Sequence, residues 1–228
     1  MKNEEGNIEQ LIAEIQMVMH NLKETWELIC IDDGSTDATL QLLVEKKLEY
    51  PELKILSFKR NFGQSSAFDA GFKSAKGSIL ITLDGDLQND PKDIPKLVHT
   101  LDKGYDLVVG KRAKRKDTFS KKMLSKLANA VRSRICQDGV DDTGCSLKVY
   151  KREKLEKIKL YQGMHRFLPA LFLIEGFKVT QVDVSHRPRT SGTTKYHFFN
   201  RSINTVVDMF AVKWMHKRQL RYKIDQQY

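Results

Sequence analysis

The sequence predicts an α/β protein built on a parallel sheet, and three observations carry that prediction. Short apolar runs rich in β-branched residues alternate with amphipathic helical stripes through the first half of the chain. Every run ends in polar, acidic or glycine residues, so the carboxyl ends of the strands share one polar rim. The sharpest of these ends lies in Ser78 to Pro91, where a buried-strand pattern, Ile79 to Leu83, stops at Asp84-Gly85-Asp86.

The elements follow in order. Asn7 can cap a helix from Ile8 to about Lys23, with Ile8, Leu11, Ile12, Ile15, Val18, Met19 and Leu22 on one stripe. Trp26 to Ile31 reads as a strand that runs into Asp32-Asp33-Gly34-Ser35-Thr36-Asp37, a helix start for Ala38 to Glu49. Leu53 to Ser57 is the next strand. Phe62-Gly63-Gln64-Ser65-Ser66 opens a helix over Ala67 to Ala75, closed by Gly77. After the Asp84 strand, Asp90-Pro91 starts a helix to about Lys103, and Asp106 to Gly110 is a strand.

The second half changes character. Between Lys111 and Arg134 ten Lys and Arg face the single Asp117. Asp138 to Tyr150 reads as a loop and then a strand, Lys159 to Ile174 as helical around Arg166 and Phe167, and Val179 to Arg187 as an edge strand. Arg189 to Lys195 is a Gly/Ser/Thr loop. Phe198 to about Arg218 is a helix on which Phe199, Ile203, Val206, Val207, Phe210 and Trp214 form a stripe, with Arg201, Lys213, Lys217, Arg218 and Arg221 beside or after it. Such a helix suits a lipid interface, or packs its apolar face on protein.

Composition narrows the class. At 228 residues the chain fits one large domain, or one domain with an appendage. A formal charge of +10 points to anionic partners: nucleic acid, a phosphorylated substrate or an anionic membrane. Nucleic acid fits poorly, because the basic residues lack interleaved stacking aromatics. Cys30, Cys136 and Cys145 form no metal-type pair and leave one odd, which predicts a reduced, cytosolic setting. The polar start Met1-Lys2-Asn3-Glu4-Glu5 is unlike a signal peptide, and no run reaches the roughly 18 apolar residues of a membrane span. The expectation is a peripheral protein.

The acids suggest chemistry. Asp84 and Asp86 leave a strand's carboxyl end and point into the crevice where open α/β sheets bind ligands. Two hard oxygen ligands beside an open position suit Mg2+ or Mn2+, particularly an ion that also binds phosphates. Gln88 is a further oxygen donor within reach. Asp and Gly are equally ordinary turn residues. Asp32 and Asp33 end a neighbouring strand, where a carboxylate can accept from a ribose or base, while Ser35 or Asp37 caps the following helix. Acids around a diphosphate make sense with a divalent cation between them.

Taken together, these motifs resemble family 2 glycosyltransferases: Asp32-Asp33-Gly34-Ser35-Thr36-Asp37, Asn61-Phe62-Gly63-Gln64, and Asp84-Gly85-Asp86-Leu87-Gln88-Asn89-Asp90-Pro91. Two later motifs, Asp142-Thr143-Gly144-Cys145-Ser146-Leu147-Lys148 and His186-Arg187-Pro188-Arg189-x-x-Gly192-x-x-Lys195-Tyr196, resemble the polyprenyl-phosphate branch, which includes dolichol-phosphate mannosyltransferases and undecaprenyl-phosphate glycosyltransferases. The resemblance implies a GT-A fold, a Rossmann-like mixed sheet flanked by helices, over residues 1–196, with 197–228 as a basic membrane-interface helix. It implies an inverting, metal-dependent transfer of a sugar from a UDP- or GDP-sugar to a polyprenyl phosphate at the cytoplasmic membrane face, as in cell-envelope synthesis, with a homo-oligomer compatible. Asp84, Asp86 and Gln88 correspond to metal-site residues, with Asp84 also beside the sugar and diphosphate. Asp142 matches the residue usually proposed as catalytic base. Glu4, Asp32 and Asp33 would face the nucleoside, and Arg112, Arg187, Arg189 and Lys195 would hold phosphate. Lys114-Arg115-Lys116 and Lys121-Lys122 would guide the acceptor or face the membrane.

One departure matters. The family pattern begins with a strand and a Pro-x-Tyr-Asn-Glu-Glu turn; here Asn3-Glu4-Glu5 is present, Lys2 replaces the Tyr, and the Pro and the strand are absent. In a GT-A sheet that strand lies between those ending at Asp32 and at Asp84. The expectation is a sheet lacking its first strand, with unpaired edges on both neighbours. The rivals are a glycan or other non-lipid acceptor, and a non-catalytic remnant.

Overall fold

Two separate hydrogen-bonded ladders form the β-structure. The computed structural model describes residues 1–22, 24–112, 132–188, 198–220, 222, 225 and 226, with the side chains of 198–203 excluded. The basic stretch 113–131, Arg189, Lys195 and Arg221 therefore lie outside the described residues. In the first ladder, β1 (Leu28–Asp32) runs parallel to β2 (Leu53–Ser57), with Leu28 opposite Leu53 and Asp32 opposite Ser57. The second has the order β3 (Ile79–Thr82), β5 (Lys148–Lys151), β4 (Leu107–Arg112), β6 (Val179–Val184). Strand β6 is parallel to β4, whereas β5 is antiparallel to both β3 and β4. The sheet is thus mixed, and β6 sits at its edge as expected.

The helices fall near their predicted places. Helix α1 (Ile8–Leu22) buries Ile8, Leu11, Ile12, Ile15 and Val18. Helices α2 (Thr39–Glu49) and α3 (Gln64–Ser74) follow β1 and β2. The Asp90 carboxylate accepts from the Lys92 amide at 3.0 Å, capping a short 3-10 turn, Pro91–Asp93, that leads into α4 (Ile94–Leu101). A four-residue turn of helix, α5 (Arg152–Leu155), follows β5. Helix α6 (Leu168–Ile174) starts later than the Lys159 expected, because Gly163 adopts a left-handed conformation (φ 86°) that breaks the helix. The intervening Met164–Phe167 is a 3-10 turn, and Pro169 occupies the tolerant first turn of α6.

Strand β4 explains why its sequence is apolar without alternation. Val108 packs with Leu97, Leu101, Leu147 and Val184 on one face, and Leu107 and Val109 pack with Tyr150, Leu168 and Phe172 on the other. A strand covered on both faces needs apolar residues throughout. Helix α7 (Phe198–Arg218) docks through Met209 and Val212 onto Cys136, Met164, Phe167 and Leu171. Fully burying one such side chain contributes about 1.5–3 kcal/mol. The residues of its predicted stripe that are described face away: Val206, Val207, Phe210 and Trp214 are all exposed.

The expected gap in the sheet is visible. Among the described residues, no strand pairs with the free edges of β1 and β3. Met1 enters this space. Its terminal amine donates to Ile31 O (2.6 Å), and its carbonyl accepts from Asp33 N (2.8 Å). These are the two bonds of a parallel bridge opposite Asp32. Met1 also reaches the turn after β3: a Cβ on Gly85 would lie 3.2 Å from Met1 Cβ and Cε.

Candidate active site

The rim is built by the ends of β1, β3 and β4. At the end of β3, the Asp84 amide donates to Ser146 Oγ (3.0 Å), and Asn89 Nδ2 donates to the same oxygen (2.7 Å). Asp84 Oδ1 accepts from Gln64 Nε2 at 3.0 Å. Asp86 is buried and accepts from the Gln88 amide at 3.2 Å. Between them Leu87 is buried with φ 60°. A leucine in the left-handed region costs about 1–3 kcal/mol and persists where packing over-determines it; here Leu87 packs with Leu11 and Ile15 of α1.

Burial, and then the charge of neighbouring Asp86, push the Asp84 carboxyl above the ordinary carboxylate range. Asp84 and Asp86, two carboxylates on one turn with Gln88, have the donor chemistry for a hard divalent cation. Among the described residues, no group of three or more His, Cys, Asp or Glu side chains forms a complete cage. An ion held by this turn would take its remaining ligands from a substrate and water.

Cations lie behind the acids. Arg112, at the end of β4, meets Asp142 bidentately, with Nε to Oδ2 2.6 Å and Nη2 to Oδ1 2.7 Å. The amides of Arg112 and Gly144 add bonds of 3.3 and 3.2 Å to the same carboxylate. Lys148 is buried on β5, where its Nζ donates to the Cys145 carbonyl. Burial draws its pKa down, while the carboxylates of Asp84 and Asp142 work the other way. Lys148 thus sits electrostatically between the Asp84 turn and the Arg112–Asp142 pair.

The β1 acids are used structurally. Asp33 accepts from the amides of Phe62 (2.7 Å) and Gly63 (3.0 Å), and Asp32 accepts from Ser35 N and Ser57 Oγ, both at 3.2 Å. Gly34, at φ 65°, lets the Arg60–Asn61 backbone cross directly over it; a Cβ there would lie 2.5 Å from Arg60 C. These contacts explain why Asp32-Asp33-Gly34 and Asn61-Phe62-Gly63 occur as a set. The Asn3-Glu4-Glu5 turn is stitched to the same loop through Asn3 N to Ser35 Oγ (2.9 Å) and Glu4 N to Thr39 Oγ1 (2.8 Å). The Glu4 carboxylate accepts from Asn7 Nδ2 at 2.7 Å.

Arg187 follows the bridge between Asn89 and His186, and its amide donates to Gln88 O at 2.8 Å. Its guanidinium is held by Glu14 and Asp90, each at 2.7 Å. In this arrangement it fastens α1 to the Asp84–Asp90 turn. Arg189 and Lys195 lie outside the described residues. Sequence reasoning missed Gln64, Ser146, Asn89 and Lys148 as site residues, although each stands inside a motif it singled out.

Comparison with known proteins bears on the fold and the family. The family model described as Glycosyl transferase family 2 matches residues 1–159. The chain is 39% identical to a dodecaprenyl-phosphate galacturonate synthase of Rhizobium johnstonii, over 97% of this chain and 65% of that protein. It is 37% identical to an undecaprenyl-phosphate 4-deoxy-4-formamido-L-arabinose transferase of Photorhabdus laumondii, over 92% of this chain and 64% of that protein. The chain thus spans just under two-thirds of these relatives' own lengths. Among solved structures, glucosyl-3-phosphoglycerate synthase of Mycobacterium tuberculosis in complex with Mn2+, UDP-glucose and phosphoglyceric acid superposes with a TM-score of 0.72 at 20% identity, covering 94% of this chain and 77% of that one. The same enzyme with Mg2+ and UDP gives 0.72 at 18% identity over 94% and 77%. The fold is GT-A.

Proposed function

Because the chain belongs to glycosyl transferase family 2, we propose that it transfers a sugar from a UDP- or GDP-sugar to a polyprenyl phosphate at the cytoplasmic face of a membrane. The observation that carries this reading is the Asp84–Asp86 turn: two carboxylates at a strand end, one driven up by burial and by the other's charge, with cationic groups behind. Asp84, Asp86 and Gln88 would hold Mg2+ or Mn2+, which when bound would stabilise the departing diphosphate as a Lewis acid. The printed activities of the two relatives support the lipid-phosphate acceptor.

In the reaction, an acceptor phosphate oxygen attacks the anomeric carbon, the bond to the nucleoside diphosphate breaks with its electron pair, and the configuration inverts. The second pKa of a phosphate monoester is about 6, so the acceptor is largely a dianion near neutrality and needs little help from a base. The geometry favours that economy. The four sites where Asp142 could accept are taken by Arg112 Nε and Nη2 and by two amides. Asp142 then orients Arg112, and Arg112 steadies the anions. Glu4, Asp32 and Asp33 shape the nucleoside end of the rim through the loops they hold.

The membrane contact rests on α7. Its exposed Val206, Val207, Phe210 and Trp214 stand beside Lys213, Lys217 and Arg218, an apolar and basic surface suited to an anionic bilayer. No helix among the described residues is long and apolar enough to cross a membrane.

The test is a donor screen with detergent-dispersed polyprenyl phosphate, run with Mn2+ and with chelator. Metal-dependent formation of a polyprenyl-phosphate sugar is expected. Transfer to a glycan or soluble sugar in place of the lipid would overturn the acceptor. Nucleotide binding without transfer to any acceptor would make the chain a binding protein.

A further inference from the structure

The side chain that donates to Asp84 Oδ1 is Gln64, and Gln64 is held by elements other than its own helix. It is the first residue of α3, and no side chain caps that helix. Two other elements grip the helix start instead. From one side Asp33 takes the amides of Phe62 and Gly63. From the other side comes the segment Gln162–His165, a hundred residues away. His165 Nδ1 lies 2.6 Å from Ser65 Oγ, and both side chains are buried. The Gly163 amide donates to the same Ser65 oxygen at 2.9 Å. The His165 ring packs against Phe68 one turn further along α3, with centroids 5.9 Å apart. Ser65 is thus fixed by two groups of the Gln162–His165 turn, and the amide group of Gln64, its neighbour, lands on Asp84 Oδ1.

We propose that His165, acting through Ser65 and Gln64, is a positioning residue for the metal site: it sets the orientation of the Asp84 carboxylate. Asp84 is fixed at its backbone by Ser146, but its carboxylate must be turned so that one oxygen faces the ion. The hydrogen bond from Gln64 to Oδ1, together with the contact of the Ser146 side chain, fixes how that carboxylate is turned. Groups that orient a metal ligand from behind typically change metal affinity or activity by about 10–100-fold when removed. A side-chain amide can hold a carboxylate only if its own Cα is fixed, and the start of an uncapped helix frays unless something pins it. The Ser65–His165 pair is the pin. The same turn is locked on its outer side, where Arg166 Nη1 donates to Thr205 Oγ1 of α7 at 2.9 Å. The proposal rests on the metal reading of Asp84 and Asp86 given above.

The test measures Mn2+ binding to the purified full chain by titration calorimetry, with saturating UDP or, in parallel, GDP present and no sugar donor or acceptor, alongside thermal melts. Gln64→Ala should weaken Mn2+ binding about tenfold. Ser65→Ala and His165→Ala should each weaken it several-fold, and His165→Asn, which keeps a polar partner for Ser65, should recover part of the loss. The decisive variant is the double Gln64→Ala/His165→Ala. If His165 acts through Gln64, the double variant binds Mn2+ no more weakly than Gln64→Ala alone. Additive losses would overturn the proposal, as would variants that lower Tm while leaving Mn2+ affinity intact. Should His165→Ala fail to fold, Ser65→Ala paired with Gln64→Ala provides the same cycle. A wild-type chain that binds no Mn2+ would remove the metal reading itself; binding indifferent to Gln64 and His165 would remove this proposal alone.

Discussion

Arg112 and Asp142 face each other end-on, Nε to Oδ2 at 2.6 Å and Nη2 to Oδ1 at 2.7 Å, with each side chain largely shielded from water. A pair of this kind fixes direction as well as charge, and only arginine offers the fork. Asp142→Asn should therefore cost stability, up to about 3 kcal/mol, by leaving the guanidinium without its counter-charge. It should lower kcat while leaving the shape of the pH–rate profile unchanged, because the carboxylate has no vacant lone-pair site for a proton. Loss of the acidic limb of that profile in the variant would instead identify Asp142 as the base.

Asp84 makes a prediction about pH. Burial and the Asp86 charge raise its folded-state pKa above the ordinary value of 3.8. Between that value and the raised one the folded chain binds more protons than the unfolded chain. This group's contribution therefore falls as pH rises through that window and remains a penalty above it. The metal-free chain should then be stabilised at neutral pH by Asp84→Asn, and the gain should shrink as pH falls toward 3.8. Mn2+ should raise the Tm of the wild type more than that of the variant. Equal melting curves for the two metal-free proteins at pH 7 and pH 4 would contradict this account.

Gly34 joins two motifs that are far apart in the chain. A Cβ there would meet three backbone atoms, Arg60 C at 2.5 Å, Arg60 Cα at 2.7 Å and Asn61 N at 2.8 Å, at a φ of 65°. Backbone cannot swing aside as a side chain can. Gly34→Ala should destabilise by about 2 kcal/mol or more, from strain and overlap together. Because the crossing also aims Phe62 and Gly63 at Asp33, nucleotide affinity should fall in parallel. A denaturant midpoint within error of the wild type would refute the steric argument.

These cases show what could be read from the chain and why the rest could not. Asp84 and Asp86 were legible because a strand pattern and a turn pattern meet at one place in the sequence. The Asp84–Gln64 contact, 20 residues apart, and the Ser65–His165 contact, 100 apart, arise from how helices settle on the sheet, and local periodicity carries no trace of that. Alternation of strand and helix through the first half correctly implied the parallel pair β1–β2. It was silent on β5, whose antiparallel return brings Asp142 beside Arg112. Asp33 was legible as a rim acid, but its grip on the Phe62 and Gly63 amides depends on the crossing at Gly34. On α7 the apolar stripe was evident, yet Met209 and Val212, between its members, are the residues that meet the core.

That arrangement makes the outer face of α7 testable. Phe210 is 55% exposed and Trp214 63% exposed, so replacing them removes little internal packing. Phe210→Glu and Trp214→Glu should leave Tm within about 1–2 °C of the wild type, as surface changes usually do. Each should weaken binding to vesicles containing anionic lipid about tenfold or more, since an interfacial aromatic is lost and a charge must be desolvated. In the wild type, the blue shift of tryptophan emission on adding such vesicles should be lost in Trp214→Glu. Sedimentation with vesicles that is unchanged in both variants would exclude this face as the lipid contact.

Met1 and Asp32 argue for a further experiment. The bonds from Met1 N to Ile31 O and from Asp33 N to Met1 O make a single parallel bridge, and β1 continues past it with no strand paired along that edge among the described residues. Apolar residues placed ahead of Met1 would extend the bridge into a ladder alongside the five residues of β1. On their other side they would meet the free edge of β3, where Ile79 is 36% exposed. Each hydrogen bond so formed contributes about 1 kcal/mol net, and the buried side chains add to it. At roughly 2–4 °C per kcal/mol, a Val/Ile-rich extension of about five residues should raise Tm by well over 5 °C. A Gly/Ser extension of equal length, with little to bury and more chain entropy to lose, should not. Equal melting temperatures for the two extensions would mean that the two ladders are closed to each other, and that Met1 already completes the sheet.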